Sequence, residues 1–365
     1  MTTVRRDLFG DIAVSKTLLT WAQVRDALKR QAKYKQMGIP IRIGEVTVEM
    51  KLLTQAQCND ILDTQREQRK DLVSEKKTAG GSGMRDFDDD GPFNLGRFRL
   101  EKRLGGVMGM VYKGVDEKSG QVVALKLLPK SLAADPAFIE RFKREVRATS
   151  ALSHPNIIKV YDAGVEQGAF YLATEFIDGE TLNQLVRREI RIKEPEALRI
   201  GREVAQGLAH AHAANVLHRD VKPENVMISK SGAVKLADFG LAKILYDDQR
   251  ITADGIAVGT PHYISPEQAR ALKETDHRSD LYSLGATLFH MLSGRLPYEG
   301  DNGSEVMKRH VFEETPNIRN VCPDITAQTA AMIFKLMAKN PAQRHQSANE
   351  LAEEIDIILK NAPSN

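Results

Sequence analysis

The 365-residue sequence is poor in cysteine and lacks long hydrophobic runs. Its two cysteines, Cys58 and Cys322, lie far apart and outside any CxxC pair. This argues against a disulfide framework or a zinc site and favours a reducing compartment. No stretch reaches the roughly 18 apolar residues that a transmembrane helix needs, and the N-terminus has no apolar signal core. We therefore expect a cytoplasmic protein without a membrane span.

An excess of charge of one sign is also missing. The 52 basic and 49 acidic residues give a formal net charge of +3, so nothing indicates binding to nucleic acid or to an anionic membrane, and we expect neither. Hydrophobic residues make up 42% of the sequence, which is typical of a globular protein with a real core. The length predicts two or three domains of about 100–200 residues each.

The first part of the chain contains an internal repeat. Leu8-Phe9-Gly10-Asp11-Ile12 is echoed by Arg42-Ile43-Gly44-Glu45-Val46, and Leu18-Leu19-Thr20 by Leu52-Leu53-Thr54, at a constant offset of 34 residues. A fixed offset over this length indicates a duplicated supersecondary unit. We therefore predict a small all-α duplicated domain over residues 1–70.

Each copy carries the pattern of a helix start. Thr20 and Thr54 are N-cap candidates, and a glutamine three residues after each completes a capping box. The leucine before each cap is placed to form a hydrophobic staple with the fourth residue after the cap. The side chains expected on one face of the two helices are Val24, Leu28 and Gln31, and Cys58, Leu62 and Gln65.

The repeat resembles the helical N-terminal module of type II secretion and pilus-assembly ATPases. Some members of that family bind cyclic di-GMP through paired motifs that begin Arg-Leu-Gly. Here the second copy has Arg42-Ile43-Gly44 but the first has Leu8-Phe9-Gly10, and the next expected glycine is replaced by Thr17 and Lys51. The resemblance implies a regulatory module that docks onto a partner or self-associates, with cyclic-dinucleotide binding as an open alternative.

Residues 71–96 have the composition of a linker. The segment 76–83 is rich in glycine, and the segment 86–92 is acidic and ends in Gly91-Pro92. Both features predict a flexible connection.

The run His218-Arg219-Asp220-Val221-Lys222-Pro223-Glu224-Asn225 is followed, after a short gap, by Asp238-Phe239-Gly240. Val123-Ala124-Leu125-Lys126 precedes these runs, and Gly259-Thr260-Pro261-His262-Tyr263-Ile264-Ser265-Pro266-Glu267 follows them. Motifs of this kind in this order resemble those of bacterial eukaryotic-like (Hanks-type) Ser/Thr protein kinases. The resemblance spans residues 98–360.

That resemblance implies an α+β, bilobal protein-kinase fold over residues 97–361. A β-rich N-lobe is expected at about 97–176 and a helical C-lobe at about 177–361. The strands predicted for the N-lobe are 98–100, 111–115, 122–127 and 170–176, and a helix is predicted over 138–148.

The implied reaction is transfer of the ATP γ-phosphate to Ser or Thr hydroxyls of protein substrates, including the chain itself. Such transfer depends on positioning and charge neutralisation. By resemblance, Asp220 orients the acceptor hydroxyl and Lys222 neutralises the transferred phosphate. Asn225 and Asp238 hold Mg²⁺ (or Mn²⁺), which prefers oxygen ligands.

Two further residues complete the implied catalytic set. Lys126 is expected to hold the α- and β-phosphates, with Glu145 of the following helix as its ion-pair partner. Thr260 is expected to bond Asp220 and Lys222, as in kinases specific for Ser and Thr.

The implied adenine site has three parts. Val111, Ala124 and Met227 would enclose the ring, Glu175 and Ile177 would offer backbone hydrogen bonds, and Thr174 would be the gatekeeper. The glycine-rich loop contributes Leu104, Gly105, Gly106 and Gly109, but departs from the G-x-G-x-x-G-x-V pattern. Alignment on Val111 puts Leu104 at the first glycine position, whereas alignment on Gly105 shortens the loop by one residue. This irregularity leaves an ATP-binding pseudokinase scaffold as the alternative function.

Several other residues receive roles from the same resemblance. Glu267 is expected to pair with Arg344, and Asp280 to brace the catalytic-loop backbone. Thr252 is the first candidate for phosphorylation in the activation segment, where Arg219 would neutralise the phosphate. Glu180 near the hinge would favour basic substrates.

Overall fold

The computed structural model describes residues 9–36, 42–64, 92–105, 110–128, 136–239, 261–270 and 275–361. The chain divides into two compact units, one containing the described residues from 9 to 64 and the other those from 92 to 361. Within these ranges, none of the helices combines the length and the apolarity that a membrane crossing requires.

Four helices form the described part of the N-terminal unit: α1 (Phe9–Ser15), α2 (Trp21–Gln36), α3 (Ile43–Glu49) and α4 (55–64). Both predicted capping boxes are confirmed. Thr20 N and Thr54 N each donate to the glutamine Oε1 three residues on, at 2.8 Å, and the glutamine N–H groups donate back to the threonine hydroxyls at 3.3 and 3.2 Å. The 34-residue repeat is therefore also a repeat of hydrogen bonds.

The two copies share one small core. Leu19, Val24, Leu53 and Cys58, the predicted staple residues, are all buried in it. On the predicted shared face of α2, Val24 is buried but Leu28 is 47% exposed, and its neighbour Ala27 is fully buried.

Gly44 allows the two copies to pack closely. A Cβ atom at this position would lie only 2.7 Å from Cys58 Sγ and 3.1 Å from the Phe9 ring. A side chain at this position would therefore collide with Cys58 and Phe9.

The positions that lack the family glycine are strained. Thr17 and Lys51 both have left-handed backbone conformations, with φ of 60° and 56°. Because the left-handed region costs an L-residue about 1–2 kcal/mol and glycine loses more chain entropy on folding, Thr17→Gly should stabilise the unit by about 0.5–1 kcal/mol. The measurement is denaturant unfolding of the full chain followed by fluorescence of Trp21, the single tryptophan.

Two further variants serve as controls for this prediction. Lys51→Gly should stabilise in the same direction. Thr64→Gly should destabilise, since Thr64 is helical and its hydroxyl donates to Asp60 O at 2.9 Å. A lower midpoint for Thr17→Gly would contradict the prediction.

The second unit begins with a six-stranded antiparallel sheet of order β1-β2-β3-β4-β6-β5. Its strands are β1 (Phe93–Leu95), β2 (Phe98–Gly105), β3 (Met110–Asp116), β4 (Gln121–Leu127), β5 (Val160–Glu166) and β6 (Ala169–Glu175). Three predicted strands lie within β2, β3 and β4, the fourth, 170–176, matches β6 except that β6 ends one residue earlier, and the predicted helix lies within α5 (Pro136–Ser150). β1 falls inside the range 71–96 that composition assigned to the linker, and β5 was not predicted.

In the described part of the remainder, helices predominate, with one three-stranded sheet of β7 (Gly179–Thr181), β8 (Val226–Ser229) and β9 (Val234–Leu236). Its helices are α6 (Leu182–Glu189), α7 (Glu194–Ala213), α8 (Pro266–Ala269), α9 (Arg278–Ser293), α10 (Gly303–Phe312), α11 (Ala327–Leu336) and α12 (Ala348–Asn361). α9 is buried on nearly all sides, and its many apolar side chains, such as Leu281, Leu284 and Leu288, form the centre of the core. The bilobal α+β architecture is thus confirmed.

Candidate active site

The run 218–225 forms a loop between α7 and β8 and ends in a short 3₁₀ turn, Pro223–Asn225. Three predicted residues meet there. Lys222 Nζ lies 2.6 Å from Asp220 Oδ2, and Asn225 Nδ2 donates to the same oxygen at 3.0 Å and to Asp220 O at 2.8 Å. The carboxylate of Asp220 is therefore held on two sides while remaining partly open to solvent.

The orientation of Asn225 bears on metal binding. Both of its contacts on Asp220 are oxygen acceptors, so the amide nitrogen must face them and the amide oxygen remains available. An amide oxygen with the carboxylate of Asp238 is the donor chemistry that Mg²⁺ or Mn²⁺ takes. The residues present fit the predicted ion.

Lys126 reaches across the cleft from β4 to Asp238, with Nζ 2.8 Å from Oδ2. Burial acts to raise the pKa of Asp238, but the Lys126 ammonium outweighs it and holds that pKa below its usual value. The expected Lys126–Glu145 ion pair is not formed in this conformation, since among the described residues Lys126 pairs with Asp238. Glu145 lines a pocket beside Asp238, together with Thr174 and Phe239.

His218 joins the two halves of the site, a role that motif comparison did not assign. Asp220 N donates to its Nδ1 at 3.2 Å, and its Nε2 lies 2.7 Å from Ala237 O. The carbonyl only accepts, so Nε2 carries the hydrogen and Nδ1 is the acceptor. Burial lowers the pKa of His218, which keeps the ring neutral. The ring also contacts Phe239, with centroids 4.6 Å apart.

Asp280 of α9 braces the backbone of the catalytic loop, as predicted. Its carboxylate accepts from His218 N at 2.9 Å and from Arg219 N at 2.7 Å, and His212 Nε2 lies 2.8 Å away. Burial acts to raise the pKa of Asp280, but the bond from His212 and these contacts lower it overall, so the group is ionised.

The backbone is strained at two positions of this site. Arg219 and Asp238 have φ of 66° and 62°, a region that non-glycine residues rarely adopt. Surrounding contacts, including the bond from Arg219 N to Asp280, hold this geometry in place.

The segment after Thr260 is anchored at Glu267, whose predicted pairing with Arg344 is confirmed. The two side chains form a bidentate buried ion pair, with N···O distances of 2.7 and 2.8 Å. Ser265 caps α8 in a capping box with Gln268, and Gln268 Nε2 donates to Arg219 O at 2.9 Å. Motif comparison missed Gln268, although the Ser-x-x-Gln spacing marks the cap.

The predicted adenine residues lie on the elements that border this cleft. Val111 is directly opposite Lys126 across β3 and β4, and Ala124 is two residues before Lys126, so all three share one face of the sheet. Thr174 Oγ1 donates to Ala124 O at 3.3 Å. Met227 lies on β8, and Glu175 ends β6 just before Ile177.

Part of the glycine-rich loop is described. Gly105 pairs with Val111 and has φ of 130°, a conformation that favours glycine, while Leu104 is 46% exposed. Gly106, Gly109 and Thr260 lie outside the described residues, as does Thr252.

Glu180 differs from the sequence-based expectation. Arg188 NH1 binds both of its carboxylate oxygens, at 2.6 and 2.8 Å. Its charge is therefore already balanced within the chain, which weakens the case for Glu180 as a selector of basic substrates.

Comparisons with known proteins identify relatives of this chain. The family described as "Protein kinase domain" matches residues 98–355. The chain is 39% identical over 275 residues to serine/threonine-protein kinase pkn3 of Myxococcus xanthus, covering 72% of this chain and 50% of that protein. It is 36% identical over 261 residues to serine/threonine-protein kinase PrkC of Bacillus subtilis, covering 71% of this chain and 40% of that protein.

A solved structure of a kinase domain is also similar to this chain. The crystal structure of the Mycobacterium tuberculosis PknI kinase domain is similar with a TM-score of 0.59 and 28% identity, covering 76% of this chain and 99% of that one. The chain spans half or less of the length of the two curated relatives. The matched region contains the whole Asp220–Asp238 site, and the chain belongs to the protein kinase family.

Proposed function

We propose that this chain is a Ser/Thr protein kinase that transfers the γ-phosphate of ATP to Ser and Thr hydroxyls of proteins, including its own. One observation carries the proposal. The Asp220 carboxylate is held between Lys222 and Asn225, in a loop that His218 joins to the strand end bearing Asp238. The closeness of a carboxylate, an ammonium group and oxygen ligands supports the proposal, because phosphoryl transfer requires a proton acceptor, positive charge and metal ligands near one another.

In the proposed mechanism, Asp220 accepts or orients the proton of the acceptor hydroxyl. Lys222, 2.6 Å from Asp220, supplies positive charge to the phosphate being transferred. Asn225 and Asp238 provide the oxygen ligands for magnesium, which when bound neutralises charge on the phosphates. Thr260 would bond Asp220 and Lys222 and so favour Ser and Thr acceptors.

ATP would be held by the face of the sheet that carries Lys126. Val111, Ala124 and Met227 enclose the adenine, and backbone groups of Glu175 and Ile177 bond its edge. Leu104, Gly105, Gly106 and Gly109 cover the phosphates. Because Glu145 borders the same pocket as Asp238, movement of Lys126 from Asp238 to Glu145 would release Asp238 for the metal.

The direct test is incubation of the full chain with γ-labelled ATP, Mg²⁺ and casein as a Ser/Thr-rich acceptor. Label is expected on the chain or on casein as phosphoserine or phosphothreonine, and chelation of the metal should abolish it. Binding of a fluorescent ATP analogue without any transfer would instead indicate a nucleotide-binding scaffold. Mapping the labelled sites also tests Thr252, which we propose as the activation-segment acceptor opposite Arg219.

For residues 1–70 we propose docking onto a partner or self-association, based on the duplicated helical unit. Light scattering of the full chain, compared with a chain that starts at residue 71, tests self-association. Equal oligomeric states would favour docking, and titration with cyclic di-GMP tests the remaining alternative.

A further inference from the structure

Helix α10 buries a histidine against the segment 261–265, which follows the predicted Thr260. His310 is fully buried, with Nε2 3.0 Å from His262 O and Nδ1 2.8 Å from the Tyr282 hydroxyl oxygen. The carbonyl oxygen only accepts, so Nε2 carries the hydrogen and Nδ1 accepts from the Tyr282 O–H. Both ring nitrogens are used, and one neutral tautomer satisfies them.

Neighbouring groups keep this ring neutral. Lys339 Nζ donates to His310 O at 2.8 Å and to the Tyr298 hydroxyl at 2.7 Å, and the Tyr298 ring packs edge-on against the imidazole. Burial, reinforced by the Lys339 ammonium, lowers the pKa of His310 to about 3. Across the working pH range of a kinase, Nδ1 therefore stays an acceptor for the Tyr282 hydroxyl, while Nε2–H stays directed at His262 O.

The segment 261–265 is also fixed at its C-terminal side, where it continues into α8. Glu267 is bound to Arg344, and the Arg344 guanidinium lies 4.9 Å from the centroid of the Tyr282 ring. Tyr282 thus contacts both His310 and Arg344. Directly after Glu267, Gln268 Nε2 donates to Arg219 O, which ties the start of α8 to the catalytic loop. Because Arg219 directly precedes Asp220, the start of α8, which follows the segment 261–265, borders the loop at which an acceptor hydroxyl must meet Asp220.

We propose that His310 is a positioning residue for the protein substrate. By holding the His262 carbonyl, it sets the backbone of 261–265 against which the residues next to the acceptor hydroxyl are aligned. The inference rests on the proposed kinase activity, and it concerns binding of the acceptor rather than of ATP.

Steady-state kinetics with a serine-containing peptide and ATP test it. His310→Phe keeps an aromatic ring but removes the donor, so the KM for peptide should rise about tenfold, as for a lost buried hydrogen bond. The kcat and the KM for ATP should change by less than about twofold, because the Asp220 loop keeps its own contacts. His310→Gln should recover most of the peptide affinity, since its amide N–H replaces Nε2–H.

His210→Phe is the matched control, because the His210 ring stacks on His154, with centroids 5.2 Å apart, and not on the segment 261–265 or the catalytic loop, so every parameter should be unchanged. If His310→Phe does not fold, Tyr282→Phe takes its place with a peptide KM raised about threefold. In the wild type, ¹⁵N NMR should show the Nε2–H tautomer of His310 from about pH 5.5 to about pH 8.

The outcomes separate this inference from the proposed function. An active wild type with an unchanged peptide KM in His310→Phe would overturn the inference alone, as would an equal rise in the KM for ATP. Detection of an imidazolium or of an Nδ1–H tautomer at His310 by NMR would also overturn the inference about His310. A wild type that transfers no phosphate to any acceptor would overturn the proposed activity and this inference with it.

Discussion

Replacing Asp220 by asparagine is expected to slow phosphoryl transfer by about 10²–10⁴-fold, the range that a positioned acid–base group contributes. The amide has nearly the same shape but cannot accept the hydroxyl proton, and it no longer attracts Lys222, now 2.6 Å from the carboxylate. Binding of a fluorescent ATP analogue should change by less than about threefold, because the nucleotide face of the sheet is separate from this side chain. Initial rates at saturating ATP measure the first effect.

Asp178→Asn is the matched control for this prediction. Asp178 is an exposed carboxylate that pairs with Lys230 at 2.8 Å, away from the catalytic loop. The same substitution there should leave the rate within about twofold, since surface ion pairs contribute little. A rate for Asp220→Asn close to that of Asp178→Asn would refute the role of Asp220.

Local patterns could be predicted from the sequence with good accuracy. The capping boxes at Thr20 and Thr54 and the strand around Lys126 depend on residues within a few positions of one another. The pairing of Glu267 with Arg344 is long-range, yet it was predicted because a recurrent motif carries both partners. Recognition of a family thus supplied contacts that periodicity alone could not.

Contacts that depend on the particular packing of this chain were not predictable in the same way. Lys126 and Asp238 are 112 residues apart, and the sequence offers Lys126 two carboxylates, Asp238 and Glu145. Which of these carboxylates Lys126 binds depends on how α5, which carries Glu145, packs against the sheet. The shared face of Val24 and Leu28 follows from the helical period, but the period does not reveal that Leu28 is exposed while Ala27 is buried beside Val46. His310 belongs to no recognised motif, and its partners His262, Tyr282, Tyr298 and Lys339 are far from one another in the sequence.

Replacing Arg344 by alanine is expected to lower the free energy of unfolding of the second unit by about 3–5 kcal/mol, the cost of leaving one member of a buried ion pair alone. The Arg344 side chain is 0% exposed and that of Glu267 is 7% exposed. Arg344 also donates to Ala338 O and Arg278 O, at 2.8 and 2.9 Å. Alanine would remove all these donors and leave the Glu267 carboxylate buried without its cation.

The pH dependence of this loss has a definite sign. In the wild type, burial acts to raise the pKa of Glu267, but its bonds with Arg344 and Ser279 lower it overall. Its contribution to stability is thus present above the unfolded-state pKa of about 4.3 and disappears as the pH falls through the lower folded-state value. In Arg344→Ala, burial is no longer opposed by the cation, so protonation of Glu267 relieves the buried charge. The stability difference from the wild type should therefore narrow as the pH is lowered from neutrality.

Urea unfolding followed by circular dichroism at several pH values measures both effects, and Arg309→Ala is the control. Arg309 forms exposed ion pairs with Glu305 and Glu313, so its removal should cost at most about 1 kcal/mol. The double variant Glu267→Gln with Arg344→Met should recover much of the lost stability, because it removes both charges together. If Arg344→Ala lowered the free energy of unfolding no more than Arg309→Ala does, the buried pair would not anchor the chain just after the segment 261–265. In that case Tyr282 would brace the segment only through His310, since its contact with Arg344 would carry no energetic weight.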